Sequence, residues 1–91
     1  MKLSFLNPSR SFDASKSRVQ FWGYDRTIEI SFFVEAGALK RLCPEINSGE
    51  TDFLQAFDSA RDRIVEVAEQ IYASGRKRRF ALVLTDKDFK D

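Results

Sequence analysis

Hydrophobic residues recur every three or four positions between Thr51 and Ser74, which is the spacing of one face of an α-helix. At about 100° per residue, seven apolar side chains fall on one narrow arc: Phe53, Phe57, Ala60, Ile64, Val67, Ala68 and Ile71. Polar side chains collect on the opposite face. The pattern predicts one long amphipathic helix that is capped by Thr51, ends at Gly75 and packs its apolar side on the rest of the chain.

Alternation of apolar and polar residues predicts two strands before this helix. In the first strand, Val19 and Phe21 point one way, whereas Arg18, Gln20 and Trp22 point the other. The second strand, RTIEISFFV, alternates in the same way, and the intervening run GYDR supplies a turn. The two runs together predict an antiparallel hairpin.

Three further segments complete the pattern. Residues 35–43 predict a short helix that Pro44 closes. The run FALVLT is apolar on both faces, which favours a strand placed more centrally than either hairpin strand. Residues 1–16 predict an N-terminal arm or an edge strand, and the mostly polar residues 86–91 predict a frayed tail.

The predicted order is β-β-α-α-β, with an extra N-terminal strand as an option. This order is typical of a single α+β domain over residues 1–91, with a small, mainly antiparallel sheet and the long amphipathic helix on one face. A composition of 43% hydrophobic and 32% charged residues indicates a globular chain rather than a disordered one. Nine phenylalanines indicate that aromatic rings supply much of the core.

The single cysteine, Cys43, cannot form a disulfide within the chain, which favours a reducing compartment. The first ten residues lack the apolar run of a signal peptide. No stretch approaches the ~20 apolar residues of a membrane span. We therefore expect a cytoplasmic protein that does not associate with a membrane.

The run RVQFWGYDRTIEISFFV, followed by AL and then by FDSARDRIVEVAEQIY, resembles the domain of unknown function 1488 family of small bacterial proteins. The resemblance extends from about Phe12 to Leu84 and includes Phe57, Arg61 and Ile64. It implies an α+β fold in a proteobacterial cytoplasmic protein. The family supplies no activity and no site to transfer, although Arg61 lies within the matching stretch.

The sequence offers little catalytic chemistry. It has no histidine, which removes the commonest general base and metal ligand at neutral pH. Its four glycines occur singly, so no phosphate-binding loop is predicted. We expect a protein that is not an enzyme and that uses no metal or other cofactor.

Arg61 is unusual because it lies inside the apolar arc of the predicted helix. In the favoured interpretation, its stem packs on Leu54 and Tyr72 while its guanidinium reaches Glu29 or a backbone carbonyl. In the alternative, the guanidinium binds an anionic ligand or a partner carboxylate.

Two charged clusters are candidates for binding. The basic run Arg76, Lys77, Arg78 and Arg79, with Arg18, is either a solvated turn that protects a strand end or a patch that contacts phosphates. The acidic positions Asp58, Asp62 and Glu66 follow one another at i,i+4 spacing. We favour a solvated ridge over a cation site there, because hard cations need ligands that converge from several directions.

Trp22, Tyr24 and Phe33 are expected to leave aromatic area on the sheet face away from the helix, which is typical of a protein interface. Since the acidic ridge and the basic turn are complementary, the sequence favours a non-enzymatic domain that acts through protein association, above all with itself. A weak nucleic-acid-binding or regulatory module using Arg76–Arg79 is the alternative. A net charge of +1 supports it poorly.

Overall fold

The computed structural model describes residues 3–74 and 81–89. The chain forms three strands, then three helices, then a fourth strand and a final 3-10 turn. Their bounds are β1 Ser11–Asp13, β2 Arg18–Asp25, β3 Ile28–Glu35, α1 Ala36–Leu42, α2 Glu50–Ser59, α3 Arg61–Ala73, β4 Ala81–Leu84 and the 3-10 turn Asp86–Phe89.

The four strands lie side by side in the order β1-β2-β3-β4. The β1–β2 and β2–β3 pairs are antiparallel, and the β3–β4 pair is parallel. Val34 lies opposite both Val19 of β2 and Leu84 of β4, so the buried positions of the strands share one face. We call this the inner face. The predicted hairpin and the α+β class with a mainly antiparallel sheet are confirmed.

All three helices contribute buried residues to one hydrophobic cluster with the inner face. Phenylalanine rings form much of its centre, as the composition predicted. The Phe57 ring of α2 lies 5.1 Å from the Phe21 ring of β2, and the Phe53 ring stacks on Phe12 of β1 at 5.7 Å. The helices therefore cover the inner face alone.

The prediction of one long helix over residues 51–74 is wrong. The chain forms α2 and α3, which meet at Ala60, whose φ of −106° and ψ of 14° are not helical. The Ala60 N–H still donates to the Ala56 carbonyl at 3.0 Å, so the break is a kink rather than a loop. A straight helix over 51–74 would measure about 36 Å, whereas the longest dimension of the molecule is 35 Å. The kink lets both halves keep their apolar sides on a twisted sheet.

The helix also starts differently from the prediction. Helix α2 begins at Glu50 with Gly49 as its N-cap residue, so Thr51 lies in the first turn instead of capping it. A carboxylate oxygen of Asp52 accepts the Gly49 N–H at 3.2 Å. Because glycine has no side chain to return the bond, only the Asp52 half of a capping box is formed.

Strand β4 lies at the edge of the sheet, so the more central position predicted for it is wrong. Its outward residues, Ala81 and Val83, pair in register with Ser31 and Phe33 of β3. The side of the sheet opposite the inner face is therefore partly apolar as well. This explains why both faces of β4 are apolar although the strand lies at the edge.

Of the predicted frayed tail, residues 86–89 are ordered, and residues 90 and 91 lie outside the described residues. Asp86–Phe89 forms a 3-10 turn that buries Phe89 at 4% exposure. Asp88 accepts the Thr85 N–H at 2.8 Å, and the Arg41 guanidinium of α1 donates to the Phe89 carbonyl at 3.2 Å. A buried ring and a long-range hydrogen bond hold a segment that is mostly polar in composition.

Gly23 lies within β2, and the hairpin turn is formed by Arg26 and Thr27 instead of the predicted GYDR segment. Arg26 adopts a left-handed φ of 61°, as tight hairpin turns require. A Cβ atom at Gly23 would lie 2.7 Å from the Phe5 ring and 3.1 Å from the Phe32 ring. Position 23 is therefore glycine because the N-terminal segment packs directly on the strand.

Candidate interaction surface

The second face of the sheet carries the aromatic residues that the sequence analysis selected. We call it the outer face. Its members alternate with the buried strand positions: Ser11, Asp13, Arg18, Gln20, Trp22, Tyr24, Glu29, Ser31, Phe33, Glu35, Ala81 and Val83. Trp22, Tyr24 and Phe33 are each half-buried. Within residues 3–74 and 81–89, they are not among the side chains that pack against the core.

Contacts between neighbouring strands order the side chains of the outer face. The Arg18 guanidinium lies over the Phe33 ring, 3.8 Å from its centroid. Gln20 donates to the Ser31 hydroxyl at 3.3 Å, and the Tyr24 hydroxyl donates to Glu29 at 2.9 Å. Since these side chains are already fixed, a partner bound here would pay little additional rotamer entropy.

Charge is unevenly distributed along the outer face. Arg18 lies at one end of β2, where its guanidinium contacts Asp13 at 3.3 Å. The Ser15 hydroxyl and, to a lesser extent, Arg18 hold the pKa of the Asp13 carboxyl below its usual value. Glu29 lies at the other end of the face, opposite Tyr24. The face therefore carries Arg18 with Asp13 and Glu35 at one end and Glu29 at the other.

An N-terminal strap, residues 3–10, runs beside the far end of β2. Ser4 and Tyr24 exchange two backbone hydrogen bonds of 2.8 Å, which places the Ser4 side chain on the outer face. Phe5 points inward, where its ring lies 5.7 Å from that of Phe32. Leu6 follows and is 89% exposed. The exposure of Leu6 could not be predicted from the sequence, because it depends on the pairing of Ser4 with Tyr24 and on the inward position of Phe5.

Arg61 lies at the kink between α2 and α3, away from the outer face. Its guanidinium donates to the Pro8 carbonyl at 2.9 Å and lies 4.7 Å from the centroid of the Phe57 ring. The partner is a backbone carbonyl, one of the two predicted kinds, and it belongs to the strap rather than to a strand. Arg61 therefore connects the strap to the helices.

The acidic positions lie on the exposed side of the helices, across the molecule from the outer face. Asp58 accepts two 2.8 Å hydrogen bonds from Arg10 of the strap. These bonds, and the charges of Arg10 and Arg61, hold the pKa of the Asp58 carboxyl below its usual value. Glu66 pairs with Arg63 at 3.0 Å, and Asp62 is exposed. Intramolecular arginines thus neutralise two of the three carboxylates of the predicted ridge.

The structure brings Arg18 together with Trp22, Tyr24 and Phe33, but it separates all four from Asp58, Asp62 and Glu66. The predicted basic run Arg76–Arg79 lies outside the described residues. Its position relative to Arg18 stays a prediction.

Other surfaces of the described chain offer less chemistry. No group of three or more potential ligands for a metal ion occurs among the residues that the structure describes. A shallow depression of about 430 Å³ is lined by Cys43, Pro44, Glu45 and Ile46. Cys43 is a half-buried free thiol that ends α1. None of the described helices has the length and hydropathy needed to cross a bilayer.

The fold and this surface define a class, a small α+β protein whose sheet is covered by helices on one face. The chain belongs to the family described as "Protein of unknown function (DUF1488)", whose model matches residues 3–84. The resemblance noted in the sequence is thereby confirmed.

Among solved structures, the chain is similar to a protein of unknown function of the same family from Shewanella loihica PV-4, whose crystal structure was determined at 1.60 Å resolution. The two share 18% sequence identity over 92% of this chain and 94% of the other, with a TM-score of 0.81. At this identity the likeness shows the fold alone. No curated protein matches the chain.

Proposed function

We propose that this protein is a non-enzymatic domain that acts by protein association, and that its partner is a second copy bound through the outer face. The observation that carries the proposal is the placement of Trp22, Tyr24 and Phe33 on one sheet face that no described helix covers. Aromatic residues are enriched at protein interfaces because they bury large areas and lose few rotamers on binding.

A second copy is the partner that we propose because of the aromatic residues of this face rather than its charges. Arg18 lies at one end and Glu29 at the other. Asp13 and Glu35 lie beside Arg18 on the neighbouring strands, so the charges of this face do not favour the contact. A symmetric contact uses the same patch on both copies, so the aromatic side chains of one copy would lie against those of the other.

The size of the face sets the expected strength. The four strands have three, eight, eight and four residues, and at about 3.4 Å by 4.8 Å per residue they present roughly 400 Å² of projected area. Stable interfaces bury about 800 Å² per partner. We therefore expect a weak dimer, with a dissociation constant in the micromolar range or above.

The only tryptophan of the chain, Trp22, provides a built-in probe of this association. We expect its emission to shift to shorter wavelength between about 1 μM and about 1 mM protein, because the indole loses contact with water in the dimer. Sedimentation equilibrium over the same series should show the mass rising towards twice that of the monomer.

Replacing Trp22 with Ala should weaken association about tenfold or more, since buried tryptophans are the commonest hot spots of interfaces. The variant should remain folded because Trp22 does not pack against the core. Gln70→Ala on the exposed side of α3 is the matched control and should leave the dimer unchanged. A wild-type protein that stays monomeric to about 1 mM would contradict self-association.

Single-stranded nucleic acid is the second candidate partner. Arg18 over the Phe33 ring, and Trp22 and Tyr24 further along the same face, are features of a surface on which bases stack. Three carboxylates on the same face, Asp13, Glu29 and Glu35, oppose it, because they repel phosphates.

Titrating a labelled single-stranded oligonucleotide at low and moderate salt tests this candidate. Binding that weakens steeply with salt and is lost when Arg76, Lys77, Arg78 and Arg79 are changed to Ala would support it. Binding that is absent at low salt would exclude it.

A further inference from the structure

The edge of strand β2 that faces β1 is only partly covered. Strand β1 pairs with β2 no further along than Gln20. Beyond it, Ser4 of the strap pairs with Tyr24, and the two residues exchange backbone hydrogen bonds of 2.8 Å. The backbone N–H and carbonyl of Trp22 point to the same edge, because these groups alternate between the two sides of a strand. No residue that the structure describes pairs with Trp22 on this side.

The strap leaves this position open because it does not follow β2 as a continuous strand. Seven residue steps separate Ser4 from Ser11, whereas four steps separate their partners, Tyr24 and Gln20. The strap therefore carries three residues more than a continuous ladder would need. An extended segment without this detour would pair with Trp22 as well as with Tyr24, so it would form more hydrogen bonds with the edge than the strap does.

A pocket for an aromatic side chain lies beside this edge, where Gly23 has no side chain. The Phe5 ring fills the pocket, since a Cβ atom at position 23 would lie 2.7 Å from that ring. The Phe5 ring lies 6.2 Å from the Phe21 ring and 5.7 Å from the Phe32 ring, so the walls of the pocket are aromatic. Leu3, two residues earlier, is buried in the core cluster. The site therefore accepts an extended segment with the pattern apolar, polar, aromatic.

The strap makes its detour towards the helices, where its contacts are exposed. The Pro8 carbonyl accepts from Arg61 at 2.9 Å, and Arg10 binds Asp58 through two hydrogen bonds of 2.8 Å. The Arg10 and Asp58 side chains are 34% and 46% exposed. Because water competes for exposed groups, such contacts contribute little to stability. We therefore expect the strap to detach at a lower cost than unfolding of the whole domain.

We propose that the β2 edge at Trp22 and Tyr24, together with the pocket at Gly23, is a binding site for an extended segment of a different partner protein. The segment has the pattern apolar, polar, aromatic and displaces the strap, which fills part of the site within the same chain. Backbone hydrogen bonds to the sheet edge supply affinity, and the pocket supplies specificity for the aromatic side chain. The site is distinct from the outer-face contact, so it exists whether or not the protein self-associates.

A different protein suits this site better than a second copy. The strap of a second copy is held to its own helices by the same contacts with Arg61 and Asp58, so two straps would have to detach before one could bind. A different partner displaces one strap only, and its segment is not bound to follow the detour.

A labelled peptide with the sequence of residues 1–10 tests the site, because it presents the pattern that fits the pocket without the connection to β1. Fluorescence anisotropy measures its binding at about 1 μM protein, below the range of self-association. The linked strap competes at a high effective concentration, so the Phe5→Ala variant of the protein should bind the peptide about tenfold or more tightly than the wild type does.

Two modified peptides separate the pocket from the edge. Phe5→Ala in the peptide removes the aromatic ring. A methyl group on the backbone nitrogen of its sixth residue removes the N–H that would pair with Trp22 in a continuous ladder. Each change should weaken binding about tenfold or more. Equal binding of the methylated peptide would overturn the use of the edge, and absence of binding to the Phe5→Ala protein up to about 1 mM peptide would overturn the site.

A disulfide between positions 4 and 24 provides a test that leaves the Phe5 ring in place. Ser4→Cys and Tyr24→Cys are introduced with Cys43→Ala, so that only the new thiols can join. Paired strand residues lie about 5.5 Å apart at their Cα atoms, which a disulfide can span. The oxidised protein should not bind the peptide, and reduction should restore binding. Binding that persists after oxidation would overturn the proposal, and disulfide-linked dimers in place of monomers would overturn it in favour of a second copy.

Discussion

Replacing Gly23 with Ala tests whether the strap is part of the folded core. The new methyl group would lie 2.7 Å from one carbon of the Phe5 ring, 3.0 Å from a second and 3.1 Å from the Phe32 ring. Carbon atoms in proteins rarely approach closer than about 3.5 Å. Phe32 is fully buried and cannot move easily, so the Phe5 ring must be displaced.

Two opposing effects decide the magnitude. Overpacking a core typically costs about 1–3 kcal/mol. Replacing glycine by alanine recovers about 0.4–1 kcal/mol, because the unfolded chain loses conformational freedom. We therefore expect a net loss of up to about 2.5 kcal/mol in the free energy of unfolding, with about 1 kcal/mol at the centre of the range. For a domain of this size, each kcal/mol lowers the melting temperature by roughly 4–8 °C.

Urea unfolding followed by circular dichroism measures this loss at a protein concentration low enough to exclude association. Gly37→Ala is the matched control, since a Cβ atom there has no neighbour within 4 Å. It should be neutral or stabilising, because alanine is favoured over glycine in a helix.

A double-mutant cycle with Phe5→Ala separates the clash from other causes. If Gly23→Ala acts by displacing Phe5, the double variant should lose less stability than the sum of the losses of the two single variants. The reason is that each single variant removes the same packing. A Gly23→Ala variant that is more stable than the wild type, or a strictly additive pair, would refute this account of the strap.

Two further changes probe the contacts of the strap with the helices. Arg61→Met should lower the free energy of unfolding by no more than about 1–2 kcal/mol, because the hydrogen bond to the Pro8 carbonyl is exposed. Complete unfolding of the variant in water would contradict this and show that Arg61 is essential to the fold. The pKa of Asp58 is lower in the folded than in the unfolded protein, so its stabilising effect is present above about pH 4 and is lost as the pH falls through the folded pKa. The urea midpoint of Asp58→Asn should accordingly lie below that of the wild type at neutral pH and approach it in acid. The difference at neutral pH should be modest, because the Asp58 side chain is 46% exposed. A midpoint difference that stays constant with pH would contradict this linkage.

The two faces of the hairpin illustrate how much the sequence predicts. Alternation in β2 and β3 alone separates the buried residues Phe21 and Phe32 from the outward residues Trp22 and Phe33. The reason is that side chains alternate with a period of two, whatever the strand pairs with. The aromatic part of the candidate surface was therefore predictable before the fold was known.

The kink at Ala60 and the strap could not be predicted in this way. Residues 51–74 keep an uninterrupted helical period without proline or glycine, so no local signal marks the break. It arises where a straight helix would leave the twisted sheet. Likewise, Gly23 predicted a turn, because glycine is common in turns. In the structure, position 23 lies in a strand and has room only for glycine because the ring of Phe5, 18 residues earlier in the chain, packs against it.

The sequence by itself determined which face of each main strand and helix is buried, because burial follows the periodicity of helix and strand. The tertiary structure decided which of those elements meet. It paired Ser4 with Tyr24, placed Arg61 on the Pro8 carbonyl and set Arg10 against Asp58. These contacts join residues that are 20 or more positions apart, and their free energies depend on a chain path that local periodicity does not specify.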